Sequence, residues 1–348
     1  MEKIVIYQTL PRLFGNRDVP MRKDGSIAEN GSGKFADYTP AVLDAIRELG
    51  ATHIWYTGIL SHATTTDYAS YGLPHDHPAV VKGKAGSPYA IRDYYDLDPD
   101  LAVNVGERMA EFQALVERSH RAGMKVIIDF VANHVARQYH STAKPSYVED
   151  LGQGDDTSMA FSSQNNFYYI PNQPLILQFA TPDTDFPYSE FPAKATGNDH
   201  FDAYPHKDDW YETVKLNYGI DYRDGHKACL TPRPNTWDKM LDILSFWADK
   251  GVDGFRCDMA GMVPVAFWAW AIPQLKSRHQ LLFIAELYEP ATYRAYLKAG
   301  FDCLYDKVGL YDTLREVVCG RAPASRITSA WQQVDGIQGQ MLAFLENH

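Results

Sequence analysis

Asp258 closes Val-Asp-Gly-Phe-Arg-Cys-Asp (252–258) and Glu286 closes Leu-Leu-Phe-Ile-Ala-Glu (281–286), so each acid ends a short apolar run. Such runs read as buried parallel strands, and the helix-like stretch between them sends both acids to the same rim of a β/α sheet or barrel. A charge at that position is costly unless it is paired or used. Arg256 stands two residues before Asp258, and the period of two in a strand puts both side chains on one face, where a guanidinium can hold a carboxylate ionised. One acid kept charged beside one that keeps its proton is the pairing used to cleave glycosidic bonds with retention of configuration. A plain Arg256–Asp258 salt bridge, and a helix-capping role for Glu286 ahead of Pro290, are the structural alternatives.

The elements that must position these groups alternate along the chain. Apolar patterning predicts strands at about 3–10, 53–60, 125–131, 252–258, 281–287, 302–306 and 341–346. Helices are predicted at about 40–49, 104–122, 236–250, 264–279, 290–299 and 308–319. Pro40 suits a first helical turn, Asn104 and Asn235 suit N-caps, and Gly50, Gly123, Gly251 and Gly300 follow last turns. Repeated βα units imply parallel strands with right-handed crossovers. Two stretches break the alternation. Residues 61–103 form a long excursion after the second strand, and 132–234, rich in Pro, Asn, Asp, Gly and aromatics, reads as an irregular subdomain over the barrel mouth.

Bulk properties narrow the partners. A formal charge of −11 disfavours nucleic acid and anionic membrane, while a neutral glucan is indifferent to it. Aromatics make up 13% of the chain, enough to serve sugar stacking as well as core packing. The longest apolar stretches, such as 262–272, are too short to span a bilayer, which needs ~20 residues. The first residues carry no secretory apolar segment, and the four cysteines have no C-x-x-C spacing, which together suggest free, buried thiols and a cytoplasmic protein. His75-x-His77 could form a metal pair, but the surrounding Pro74, Asp76 and Pro78 favour a solvent loop. Cys257 should face away from the catalytic side of its strand, and Phe267, Trp268 and Trp270 should pack against the sheet.

Together with Asp-Phe-Val-Ala-Asn-His (129–134) and Phe-Leu-Glu-Asn-His (344–348), the two acid-bearing segments resemble, in order and spacing, the four signature strand ends of the α-amylase family of glycoside hydrolases. Ile-Tyr-Gln-Thr-Leu-Pro-Arg-Leu-Phe (6–14) is similar to the family's first strand. Tyr89, Asp93 and Tyr94 resemble its Tyr-x-x-x-Asp-Tyr stretch, and Val-Lys-Leu-Asn-Tyr-Gly-Ile-Asp (214–221) the motif that closes its inserted domain.

The resemblance implies an α/β fold, a (β/α)₈ TIM barrel that is incomplete with about seven strands, and an irregular domain inserted after strand 3. Barrel residues 1–131 and 235–348 would flank an inserted domain at 132–234. It further implies Asp258 as nucleophile, Glu286 as general acid and Arg256 as their catalytic partner. Tyr89 would stack under the sugar, His134 and His348 would bind it, and Asp129 would support the site from beneath. Asn133 would lend an oxygen to a structural calcium, although one amide alone is not a site and a turn-stabilising role is open. The substrate would be an α-glucan or maltooligosaccharide.

Two features depart from the family. Gly261 and Met262 stand where many members have Lys and His, which puts leaving-group contacts in question, although the carbonyl of residue 262 could still serve a metal. The Asp that in the family follows the signature His, and the eighth strand, would lie beyond His348, so residues 1–348 alone are expected to be inactive. A transglycosidase is the near alternative, a noncatalytic binding or scaffold protein the distant one; metal-dependent barrels fit poorly, because the acids do not cluster with metal ligands. Oligomeric state is not legible.

Overall fold

A computed structural model describes residues 3–17, 21–182 and 184–346. Seven strands form one sheet: β1 (Ile6–Thr9), β2 (His53–Tyr56), β3 (Lys125–Val131), β4 (Gly254–Asp258), β5 (Leu282–Ala285), β6 (Cys303–Tyr305) and β7 (Met341–Leu342). They lie in sequence order and every neighbouring pair is parallel. The parallel pairing is what the alternating pattern predicts, and the incomplete (β/α)₈ barrel is what the resemblance implies.

The crossovers are helical. The main ones are α1 (Pro40–Glu48), α2 (Arg108–Arg121), α3 (Asn235–Asp249), α4 (Val265–Lys276), α5 (Tyr293–Ala299), α6 (Asp312–Val318) and α7 (Ser325–Gln333). Thr39 caps α1 by accepting from the Val42 N–H, with Pro40 at the first helical position. Asn104 caps a 3₁₀ turn that leads into α2. Asn235 is the first residue of α3 rather than its cap; its side-chain oxygen instead accepts from Asn166, in the insertion. Gly251 and Gly300 follow α3 and α5 at φ of +91° and +116°, conformations that a β-carbon disfavours. Helix α7 is absent from the predicted elements. It is nine residues long with three apolar side chains, Ile327, Ala330 and Trp331, and of these only Ala330 is buried.

Strand periodicity divides the core in two. Ile54, Tyr56, Val126, Ile128, Phe130, Phe255, Cys257 and Phe283 face the helices and pack with Phe112, Leu115, Leu244, Trp247, Phe267 and Trp268. Burying each such large side chain contributes ~1.5–3 kcal/mol. The opposite face carries Trp55, Ile127, Ile284, Cys303 and Tyr305 into the barrel interior. Cys257 and Cys303 are buried, but Cys319 is exposed and Cys229 half-buried, so the reading of all four thiols as buried is corrected.

The segment 132–234 holds three short antiparallel pairs: His134–Ala136 with Thr213–Lys215, Tyr169–Ile170 with Ala193–Lys194, and Ile220–Asp221 with Lys227–Ala228. The excursion after β2 is organised by Leu60–His62 pairing with Ile91–Leu97. Among the described residues, no helix is long and apolar enough to cross a membrane.

Candidate active site

The site follows from register. Arg256 pairs with Asp129 on one side and Ile284 on the other, and all three point into the barrel. Asp258 and Glu286, each two residues further along the same faces, emerge at the rim. Gly254 permits this tight pairing, since a β-carbon there would lie 2.8 Å from the Leu282 carbonyl oxygen.

Arg256 is the hub, with none of its surface exposed. Its Nη1 donates to Asp258 Oδ1 at 2.6 Å and to Asp129 Oδ1 at 3.4 Å. Nη2 lies 2.7 Å from Glu286 Oε1, and Nε donates to the Tyr305 hydroxyl at 3.0 Å. The rings of Trp55, Tyr89 and Tyr305 flank the guanidinium with centroids 5.3, 5.8 and 5.3 Å from its carbon. Asp129 is held from below by Trp55 Nε1 at 3.0 Å and the Gly58 N–H at 3.3 Å. Glu286 accepts from the Met259 N–H at 2.7 Å and from the Tyr288 hydroxyl at 2.5 Å. Met259 reaches that oxygen because the chain turns at once after β4, with Met259 at φ +43°, an unusual conformation for a residue with a β-carbon.

Three carboxylates share one guanidinium, and this decides the protonation. Burial, opposed by Arg256 and reinforced by Glu286 and Asp129, pushes the Asp258 carboxyl up to about 7. Burial likewise raises Asp129 to about 6. Arg256 favours the ionised form of Asp258, while desolvation and the two like charges oppose it. Both shifts favour a proton on the cluster.

Above the cluster opens a cavity of about 210 Å³, lined among others by Tyr89, His134, Trp210, Glu212, Asp258 and Glu286. His134 is buried and its pKa falls to about 3 through desolvation, with Lys215 adding to the effect, so it is neutral. Its position is set by the turn after β3. Tyr94 donates to the Val131 and His134 carbonyls at 2.5 and 3.3 Å, and Tyr218 to Ala132 at 2.7 Å. Tyr89 is half-buried in the cavity wall, and its hydroxyl is raised well above 10 by burial, so it is neutral as well. His348 lies outside the described residues.

Sequence reasoning missed the residues that the insertion contributes. Trp210 packs its ring 5.1 Å from that of His134, and buried Glu212 pairs with Lys82 at 2.9 Å. The nearest signal was the adjacent 214–221 motif. A second aromatic hollow, lined by Tyr168, Phe201 and Tyr222, lies within the insertion and contains Asp221 but neither candidate catalytic acid. His75 is exposed, and His77 is engaged by the Phe186 carbonyl and the Ala79 N–H, as a loop histidine would be. Among the described residues no cluster of three or more His, Cys, Asp or Glu is placed to hold a metal ion.

Asn133 is buried behind the cavity, and its Oδ1 accepts from Lys215 Nζ at 2.5 Å. The same ammonium pairs with Asp199 at 2.5 Å and donates to the Met262 carbonyl at 3.4 Å. With Lys215 at the centre of these oxygens, the residues do not fit the calcium ion that the resemblance implies for Asn133.

The family model of the alpha-amylase catalytic domain matches residues 38–282. Neopullulanase 2 of Thermoactinomyces vulgaris is 23% identical over 301 residues, which cover 84% of this chain and 40% of that protein. An amino acid transporter heavy chain of Mus musculus is 23% identical over 314 residues, covering 89% of this chain and 35% of its own. The crystal structure of a noncanonic maltogenic alpha-amylase from Thermotoga neapolitana superposes with a TM-score of 0.58 at 23% identity, covering 99% of this chain and 59% of its own. The chain thus spans less than two thirds of each of these proteins. With more than half of its length matched by the family model, and with the parallel barrel sheet bringing the signature segments that carry Asp129, Asp258 and Glu286 to one rim, this chain belongs to the α-amylase family of glycoside hydrolases.

Proposed function

We propose that this chain carries the active site of a retaining glycosidase that cleaves α-glucosidic bonds in starch-like glucans or maltooligosaccharides. The observation that carries the proposal is the pair Asp258 and Glu286, both contacting one buried guanidinium and both opening into one cavity. A single side chain spanning the two carboxyls favours the short separation of retaining enzymes, ~5–5.5 Å, over the longer gap that an inverting enzyme needs for its water.

In this reading Asp258 attacks the anomeric carbon as the glycosidic bond breaks, while Glu286 gives its proton to the leaving oxygen. Glu286 then takes a proton from water, and the resulting hydroxide displaces Asp258 and restores the starting configuration. Substrate must shift the cluster's proton to Glu286, which a leaving oxygen beside that carboxyl would favour. Tyr89 and Trp210 offer ring faces to the sugar, and neutral His134 can donate to a hydroxyl. Asp129 holds Arg256, and with it both acids, in place.

If a sugar hydroxyl rather than water reaches the glycosyl-enzyme, the same residues perform transglycosylation. The similarity to a transporter heavy chain favours a noncatalytic second reading, against which the complete Asp258, Glu286 and Arg256 constellation speaks. Because residues 1–348 alone are expected to be inactive, incubating the protein extended through the eighth strand with maltooligosaccharides, starch, pullulan and cellulose, and following the product anomers by NMR, tests the proposal. Products of α configuration from one or more of the first three, and none from cellulose, are expected. Initial release of β anomers would replace retention by inversion, cleavage of cellulose would overturn the substrate, and the absence of turnover would favour the noncatalytic reading.

A further inference from the structure

Lys215 lies opposite His134 in the antiparallel pair that closes the insertion onto the barrel, and its side chain is only 2% exposed. A buried ammonium is costly unless each of its three donors finds an acceptor. Three oxygens are available, from three separate segments: the Asn133 amide after β3, the Asp199 carboxylate within the insertion and the Met262 carbonyl after β4. The Tyr222 ring adds a face 5.5 Å from Nζ. Asp199 is held in a left-handed conformation, φ +64°, and the Asn133 amide nitrogen is tied to the Gly197 carbonyl at 2.7 Å, which leaves its oxygen turned toward Lys215. An amide, a carboxylate and a peptide carbonyl converging on one point form a set of hard oxygen donors of the kind that binds divalent cations.

We infer that Lys215 is a built-in cation occupying the point where a divalent metal would otherwise join the insertion to the barrel, so that this chain holds the two together without calcium. An ion at that point would need oxygens at 2.3–2.6 Å, which the ammonium already contacts, and it would face a like charge at bonding distance. The segments joined this way carry His134 and follow Asp258, so the lysine braces the wall of the cavity. It is a positioning residue and touches no reacting atom.

The test reads stability and metal content of the intact protein rather than turnover, so its failure is distinct from failure of the glycosidase reading. After dialysis against EDTA, the wild-type protein is expected to retain its unfolding midpoint, to gain nothing from millimolar calcium and to contain substoichiometric calcium by atomic emission. A midpoint that falls on chelation and returns with calcium would overturn the inference, whatever the variants do. Lys215→Met keeps the length and removes the charge, leaving Asp199 facing two other oxygens. Its midpoint is expected to fall by ~5–10 °C, and an unchanged midpoint would overturn the inference. Lys215→Ala vacates the cage; in EDTA it should melt early or fail to refold, and calcium should recover at least half of the loss. No recovery with calcium would mean that these oxygens do not form a cation cage, and the inference would fall.

Discussion

Replacing Asp258 by Asn should stabilise the protein, and increasingly so as pH rises. The carboxyl stands at about 7 in the folded protein against an ordinary value of 3.8, because it is buried beside Glu286 and Asp129 with Arg256 as the shared counter-charge. Between those two values the folded state holds a proton that the unfolded chain has lost, so stability falls with rising pH across the window and the loss is complete above about pH 7. At ~1.36 kcal/mol per pH unit, the full cost is about 4 kcal/mol. Relaxation among the three carboxylates lowers it, and ~2–4 kcal/mol is a reasonable range. The amide cannot ionise, is nearly the same shape and can still accept from Arg256 Nη1, so the variant escapes the cost. Denaturant unfolding of both proteins at pH 4, 6 and 8 should show a difference near zero at pH 4 that grows to ~2–4 kcal/mol in favour of the variant at pH 8. A difference independent of pH, or a variant less stable at pH 8, would refute the reasoning and mean that Arg256 does hold Asp258 ionised.

The remaining predictions address roles. Asp258→Ala should abolish turnover, and added azide should restore cleavage and yield a glycosyl azide of inverted configuration; rescue without inversion would remove the nucleophile assignment. Glu286→Gln should lose ~10²–10⁴-fold with sugar leaving groups but far less with glycosyl fluoride, and equal losses would exclude it as the acid. Tyr89→Ala should lose much more activity than Tyr89→Phe, since the ring face carries the contact; equal losses would point to the hydroxyl. Arg256→Met leaves three buried carboxylates without their cation and should cost ~3–5 kcal/mol at pH 8, with a smaller loss at pH 5, where protonation relieves the repulsion; a melting curve equally depressed at both pH values would contradict this.

The reading of the barrel and its acids drew on local rules that tertiary structure did not override. A period of two placed Arg256, Asp258 and Glu286 on the inward face and Cys257 on the helix side, and apolar runs located all seven strands. Strands so located and joined by helices imply parallel pairing, while the barrel order came from the resemblance. The short α7 was not legible, because its three apolar residues in nine make too brief a run to be read by period. What only the fold decided were effects that depend on distance between remote residues. Lys215 meets Asn133 across 82 positions and turns an expected metal ligand into the acceptor of an ammonium. Trp210 and Glu212 reach the cavity only because the insertion folds back over β3. The protonation of Asp258 belongs to the same class: adjacency to Arg256 in sequence says that a counter-charge is present, but whether it wins depends on burial and on the two further carboxylates that the barrel brings to the same guanidinium.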